Sequence, residues 1–208
     1  MRHFWALLSS FISIILLWVF SYNYLPNEVA MHFDSNGNPD QYGGRLFIMA
    51  MFLLLSFVLL LITYLFVVYD KNNQNKQKVN TPITTFMIIF SCALNVLFLL
   101  NIKDESLQTG RFLFVLIGLF FVLIGNYLPQ IKKNYFIGVR IAATLSKETI
   151  WKRTQRYSGF VFLIVGVLIA LTSLIPITIA IMLSVFILLL GITFIYMYAT
   201  RIEKEIQE

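Results

Sequence analysis

Long apolar runs separated by short polar segments make up most of this chain. Six runs contain no charged residue, and they lie at residues 4–22, 46–69, 82–101, 112–128, 159–175 and 177–200. A helix needs about 20 apolar residues to cross a hydrocarbon core about 30 Å thick. The pattern therefore predicts an all-α membrane protein with six transmembrane helices. Pro176 predicts a tight turn between the last two runs, and we expect the six helices to pair as three hairpins.

Composition supports the membrane class. Hydrophobic residues make up 59% of the 208 residues, charged residues make up only 12%, and the mean hydropathy is +0.79. Soluble domains carry about 25% charged residues, so the composition excludes an ordinary soluble domain. A chain this apolar would also not stay disordered in water.

Basic residues are divided unevenly between the two predicted sides of the membrane. Six spans put both termini on one side, which carries thirteen Lys and Arg residues, and the other side carries three. Because basic residues of short loops stay in the cytoplasm, we expect a multi-pass protein of the cell membrane with both termini cytoplasmic. This asymmetry explains the net charge of +6 without a nucleic-acid partner.

The predicted spans contain no ionisable acid, base or histidine. Buried ionisable groups mark most proton pathways and intramembrane catalytic centres, so we expect no enzyme, no catalytic residue and no cofactor. Cys92 is the only cysteine, which excludes an intrachain disulfide. Interhelical hydrogen bonds are the expected role of the polar residues within the spans. The main ones are Ser91, Asn95, Asn126, Thr63, Ser184 and Thr193.

The loop between the first two spans, residues 23–45, is expected to be structured and to lie outside the cell. Val29, Met31 and Phe33 alternate as in a short strand, an Asn-Gly turn follows, and Pro39 begins a further bend. Its net charge of −2 suits a cationic or amphipathic peptide. Four side chains are candidates for partner binding: His32, Asp34, Asp40 and Tyr42. His32 with the two aspartates resembles a metal ligand set, but the spacing matches no known zinc signature, so no metal site is predicted.

The loop between the fourth and fifth spans, residues 129–158, is basic, with a net charge of +6 between residues 132 and 156. We predict that Ser146 caps an amphipathic helix, with Trp151 and Thr154 on its apolar face. Its opposite face carries Lys152, Arg153 and Arg156 and suits anionic lipid headgroups.

Arg140 is the first candidate for a functional residue of the 129–158 loop. It lies between apolar stretches, so we expect its segment to fold back against the helices and its guanidinium to need a partner, such as a helix C-terminal carbonyl, Asn126, Tyr127, a phosphate or a ligand carboxylate. A purely structural role is the alternative. The predicted binding residues of this region are Asn126, Tyr127, Pro129, Asn134, Gly138, Arg140, Trp151 and Thr154.

Both loops resemble those of the SdpI-like immunity proteins. The 23–45 loop is similar to a short domain of unknown function at the start of these proteins, through Leu25-Pro26, His32-Phe33, Gly37-Asn38-Pro39-Asp40 and Tyr42-Gly43. The 129–158 loop is similar to the SdpI signature, through Gly125-Asn126-Tyr127-Leu128-Pro129, Asn134 to Arg140, Thr144-Leu145 and Trp151-Lys152-Arg153-Thr154. Members usually have Thr-Pro-Trp and a histidine where this chain has Ile141-Ala142-Ala143 and Gln155.

The resemblance implies a two-part organisation and an immunity function. Residues 1–80 would form a two-helix membrane domain and residues 81–208 an SdpI-like four-helix region. The protein would protect its cell against a secreted toxin peptide, and it would hold a cytosolic repressor at the membrane when toxin is present. The residues alone leave an alternative open, a membrane enzyme or transporter that acts on a lipid or small amphiphile. It would hold a phosphate with the basic 129–158 loop and orient it with Asn126, Tyr127 and Arg140.

Overall fold

The structure is a computed structural model that describes residues 2–33, 39–69, 79–103, 109–133 and 138–207. The elements, in chain order, are α1 (Arg2–Ser21), β1 (Glu28–Phe33), β2 (Pro39–Gly44), α2 (Arg45–Tyr69), α3 (Thr81–Lys103), α4 (Thr109–Tyr127), α5 (Ala142–Ser146), α6 (Glu148–Leu171) and α7 (Ile177–Gln207). Short 3-10 turns follow α1, α4 and α6 at Tyr22–Tyr24, Leu128–Gln130 and Thr172–Leu174.

Six helices of the described chain are long and apolar enough to cross a membrane. They are α1, α2, α3, α4, α6 and α7, and each corresponds to one of the six predicted apolar runs. The prediction of an all-α protein with six transmembrane helices is therefore confirmed. The pairing of the helices as three hairpins stays a prediction.

The fifth membrane helix is longer than the sequence predicts. The predicted amphipathic helix and the fifth apolar run form one continuous helix, α6, which begins at Glu148. The prediction that Ser146 caps this helix is wrong. Ser146 is the last residue of α5 and its hydroxyl donates to the carbonyl oxygen of Ala143 at 2.6 Å. Lys147 separates the two helices because its backbone is extended, with φ −130° and ψ 146°.

An antiparallel β-hairpin connects α1 to α2. The predicted strand is confirmed as β1, whereas the predicted bend at Pro39 is wrong because Pro39 begins β2. Strand pairing runs from Glu28 opposite Gly44 to Phe33 opposite Pro39, with irregular register in between. At the start of α2, the Arg45 guanidinium lies 4.6 Å from the centre of the Tyr22 ring. The predicted Asn-Gly turn lies outside the described residues.

The chain forms two compact units, and the first consists of Met1–Leu65 with Thr84–Thr109. Its core is built around Trp18 of α1, which is fully buried with Ile14 and with Ile48 of α2. The Trp18, Phe52 and Phe98 rings lie against one another in the same core, with 4.0 Å between the centres of the two phenylalanine rings. Aromatic packing therefore joins α1, α2 and α3 in this unit.

The second unit consists of Phe66–Ile83 with Gly110–Glu208, and two glycine pairs set its helix packing. A Cβ atom on Gly118 would lie 2.5 Å from the carbonyl oxygen of Gly166, and one on Gly125 would lie 2.7 Å from that of Gly159. The two glycines of each helix are seven positions apart in the sequence, so both pairs lie on one face. Consequently α4 and α6 approach backbone to backbone. The family-based division into residues 1–80 and 81–208 stays a prediction.

Candidate functional site

The start of the 129–158 loop is tied to α6 by a buried tryptophan. Trp151 is fully buried, and its indole Nε1 donates to the carbonyl oxygen of Ile131 at 2.9 Å. The 3-10 turn Leu128–Gln130 lies directly before Ile131, and a Cβ atom on Gly159 would lie 2.7 Å from Pro129 Cγ. Pro129 and Trp151 therefore serve to dock the chain on α6 as it leaves α4.

Gln155 fixes the backbone directly before Arg140. Its Oε1 accepts from the Val139 N–H and its Nε2 donates to the Val139 carbonyl oxygen, both at 3.1 Å. Gly138 has φ +101°, and a Cβ atom there would lie 2.8 Å from Gln155 Oε1. Glycine is needed at position 138 for both reasons, since other residues rarely adopt this φ and none would leave room for the amide.

Thr144 holds the backbone on both sides of Arg140, at Val139 and at Ile141. The threonine is fully buried, and its hydroxyl accepts from the Ile141 N–H at 3.0 Å. The same oxygen lies 2.9 Å from the Val139 carbonyl oxygen, to which it can donate. We call Gly138, Val139, Ile141, Thr144 and Gln155 the loop clamp. The clamp holds the backbone on both sides of Arg140.

Arg140 itself points away from the protein. Its side chain is exposed and forms no hydrogen bond or ion pair with the described residues. Of the expected partners of its guanidinium, Asn126 and Tyr127 are wrong for the described chain, whereas a phosphate or carboxylate partner stays a prediction. The segment does fold back against α6, but it does so through the Val139 backbone and not through the arginine. A long cationic side chain is thus presented from a fixed backbone.

Asn126 and Tyr127 are the last two residues of α4. Within the described chain, neither forms a hydrogen bond to the loop clamp. Asn126 is exposed, and its backbone oxygen accepts from Gln130 Nε2 at 3.1 Å. Tyr127 is half-buried and packs against the cluster that contains Leu128 and Trp151. Asn134 lies outside the described residues.

The two faces of α6 are divided as the sequence predicts. Trp151 and Thr154 are fully buried, and the opposite face exposes Lys152, Arg153 and Arg156. Lys152 Nζ lies 2.9 Å from Glu148 Oε1 one turn away. An exposed pair of this kind contributes little to stability. The hydroxyls of Thr154 and Ser158 are buried on the inner face without a hydrogen-bond partner among the described residues.

In the 23–45 loop, two of the four predicted residues contact each other. His32 Nδ1 donates to Asp40 Oδ1 at 2.6 Å across the hairpin, and both side chains are exposed. Tyr42 is 58% exposed on β2. Asp34 lies outside the described residues. Of the three side chains considered as metal ligands, the structure therefore describes only His32 and Asp40.

Sequence reasoning missed the residues that form the loop clamp, apart from Gly138. In the sequence, Gln155 stands out only as a departure from a histidine of the family, and Thr144 only as part of a motif. Helical spacing is one signal that indicates a buried Gln155, since Gln155 lies four residues after Trp151 and next to Thr154, on the side predicted to be buried. A fully buried glutamine needs partners for both of its amide atoms.

Comparisons with known proteins agree with this description. A family model described as the SdpI/YfhL protein family matches residues 130–199, and one described as Domain of unknown function (DUF1648) matches residues 10–56. The chain is 27% identical over 169 residues to the Immunity protein SdpI of Bacillus subtilis (strain 168). That alignment covers 79% of this chain and 76% of the relative. No solved structure gives a significant match.

These matches confirm the resemblance to the SdpI family. The SdpI/YfhL match includes the loop clamp, Arg140, Trp151 and Thr154, and the second match includes the hairpin with His32 and Asp40. The chain is thus a multi-pass bacterial membrane protein related to an immunity protein.

Proposed function

We propose that this protein is a membrane immunity protein that protects a bacterial cell against a secreted antimicrobial toxin peptide. The observation that carries the proposal is the relation to an immunity protein over 79% of the chain. The family matches cover both organised loops, which are the segments that can meet partners on the two sides of the membrane.

Arg140 supports a binding role for the 129–158 loop. An exposed arginine without a described partner adds little to the stability of the fold, yet the loop clamp holds the backbone that carries it. A guanidinium binds carboxylates and phosphates through paired hydrogen bonds. We infer that Arg140 binds an anionic group of a partner, and that this partner is a cytosolic repressor held at the membrane when toxin is present.

The 23–45 loop is the surface that meets the toxin in this proposal. With both termini in the cytoplasm, the hairpin faces outwards, and the net charge of −2 on the 23–45 loop attracts a cationic peptide. The exposed His32, Asp40 and Tyr42 side chains lie on one short hairpin that connects two membrane helices. A toxin bound to the hairpin would contact the segment that joins α1 to α2.

The test is survival of a toxin-sensitive bacterium that lacks its own immunity gene. The strain expresses the wild-type chain, Arg140→Ala or Arg156→Ala at matched membrane levels and is challenged with a panel of secreted toxin peptides. Arg156 is the control because it is also an exposed arginine of the 129–158 loop but lies outside the loop clamp. Protection by wild type and by Arg156→Ala, with protection reduced in Arg140→Ala, would support both parts of the proposal.

Two outcomes would contradict it. Equal protection by all three chains would remove the role of Arg140 while keeping immunity. Absence of protection against every peptide of the panel would argue against immunity, and turnover of phospholipid by the purified protein would then favour the lipid-directed alternative.

A further inference from the structure

An apolar groove of about 330 Å³ lies between α6 and α7. Its lining includes Tyr157, Ile164 and Leu168 of α6 and Gly191 and Phe194 of α7, and tyrosine is the only polar residue type in it. Ile164 and Leu168 are 45% and 41% exposed in spite of their place inside a membrane helix. Both helices span the membrane, so this groove is in contact with lipid tails.

The length of the groove matches one leaflet of a bilayer. Tyr157 and Leu168 mark its two ends on α6, and the helical rise places them about 16 Å apart. Half of a hydrocarbon core about 30 Å thick is close to the same distance. The groove can therefore hold one acyl chain that lies along the helices.

Aromatic rings and then arginines lie at one end of the groove. The Tyr157 and Tyr198 rings stack with 4.0 Å between their centres, which places these residues at the same level of the two antiparallel helices. Arg153 precedes Tyr157 by four residues and Arg201 follows Tyr198 by three, so both lie about one turn beyond the stack. Stacked tyrosines followed by basic residues are typical of a membrane–water interface.

The charge at this end is positive. Arg153 is exposed and forms no ion pair with the described residues, and Arg156 lies exposed beside it. Arg201 Nε lies 2.9 Å from Glu205 Oε1, and the Arg201 side chain is 80% exposed. Among the described residues of α6 and α7 beyond the tyrosine stack, Arg153, Arg156, Arg201 and Lys204 stand against Glu203 and Glu205, since Lys152 pairs with Glu148. The remaining net positive charge attracts an anion.

We propose that the α6–α7 groove is a binding site for one anionic phospholipid. The acyl chain lies along the groove, and the phosphate contacts Arg153 and Arg201 beyond the tyrosine stack. Charge selects the occupant, since an apolar groove alone would accept any lipid tail, whereas the arginines favour an anionic headgroup over a zwitterionic one. This site goes beyond the proposed immunity function and does not depend on it.

The test is native mass spectrometry of the full chain in detergent with equal amounts of phosphatidylglycerol and phosphatidylcholine. We expect one retained phosphatidylglycerol, at least threefold in excess over phosphatidylcholine. Ile164→Trp and Leu168→Trp fill the groove with an indole and should each lower retention at least threefold. The matched control is Val167→Trp, because Val167 is 51% exposed on the same helix but does not line the groove.

The headgroup contact is tested with charge variants. The double variant Arg153→Gln and Arg201→Gln should abolish the preference for phosphatidylglycerol, and Lys152→Gln is the control because Lys152 pairs with Glu148 instead. Three outcomes would overturn the proposal: equal retention of the two lipids by wild type, equal loss in Ile164→Trp and Val167→Trp, or a dimer that excludes lipid from the groove. Each variant is compared only if it elutes as the wild-type species, and the two tryptophan variants provide independent tests if one fails to fold.

Discussion

Trp18 Nε1 donates a hydrogen bond to Asn95 Oδ1 over 2.7 Å, between two side chains that are almost fully buried in membrane helices. Asn95 Nδ2 in turn donates to Ser56 Oγ at 2.9 Å and to the Ser91 carbonyl oxygen at 2.7 Å. One amide therefore joins α1, α2 and α3. Because the amide satisfies both its acceptor and its donor atoms, the polar group can be buried at little cost.

Asn95→Leu should destabilise the first compact unit. The change leaves the Trp18 N–H without its acceptor in an apolar environment, and we expect a loss of about 1–2 kcal/mol in the free energy of unfolding. Thermal unfolding of the purified protein in detergent measures the effect. Ser56 keeps a partner in this variant because its hydroxyl also donates to the Phe52 carbonyl oxygen at 2.8 Å.

A double-mutant cycle separates the hydrogen bond from the loss of packing. Trp18→Phe and Asn95→Leu should be non-additive, because either change alone removes the same bond. Additive effects would mean that the contact contributes nothing to stability.

Alanine at Gly125 or Gly159 should separate α4 from α6. In both cases the new methyl group would lie 2.7 Å from a backbone oxygen of the facing helix, which a change of rotamer cannot relieve. We expect each variant to lose about 1–3 kcal/mol of stability. Gly44→Ala is the matched control, since nothing lies within 4 Å of a Cβ atom there. A Gly44 variant that unfolds as readily as the Gly125 variant would refute the close-packing explanation.

The sequence predicts well those features that depend on a single segment. Length and hydropathy predict the six membrane helices, and helical spacing predicts the buried face of α6 with Trp151 and Thr154. Asn95 confirms the expected interhelical bond, whereas the hydroxyls of Thr63 and Thr193 donate to carbonyls of their own helices.

Features that depend on two distant segments could not be predicted. Gln155 reaches Val139 across sixteen positions, and nothing in either segment identifies the other as its partner. The Val139 backbone, and not the Arg140 side chain, therefore attaches this segment to α6. The wrong prediction at Ser146 has a local cause. Serine suits an N-cap, but the extended residue directly before α6 is Lys147, so the helix begins one residue later than predicted.

Gln155→Ala should loosen the backbone at Arg140. Both bonds to Val139 are lost, and at about 1 kcal/mol for a hydrogen bond we expect the Val139 amide to exchange with solvent at least about fivefold faster. Gln155→Glu should have a smaller effect, because a carboxylate still accepts from the Val139 N–H but cannot donate to its carbonyl. Hydrogen exchange followed by mass spectrometry measures the difference.

Gln130→Ala is the control for the loop clamp. Gln130 lies in the same loop and donates one hydrogen bond, to the Asn126 carbonyl oxygen, outside the clamp. Exchange at Val139 should match wild type in this variant. Two results would show that Gln155 does not hold the loop. One is faster exchange at Val139 in Gln130→Ala, and the other is an unchanged exchange rate in Gln155→Ala.

Cysteine labelling should place the two loops on opposite sides of the membrane. In a Cys92→Ser background, Tyr24→Cys should react with an impermeant maleimide on intact cells, whereas Arg153→Cys and Lys204→Cys should react only after lysis. The reason is the excess of basic residues, thirteen against three, on the side that carries the termini. All three positions are exposed in the structure, so a difference in labelling reports sidedness and not burial. The reverse pattern would put Arg140 outside the cell, which would rule out a cytosolic partner for it while leaving the phospholipid groove of α6 and α7 to be tested separately.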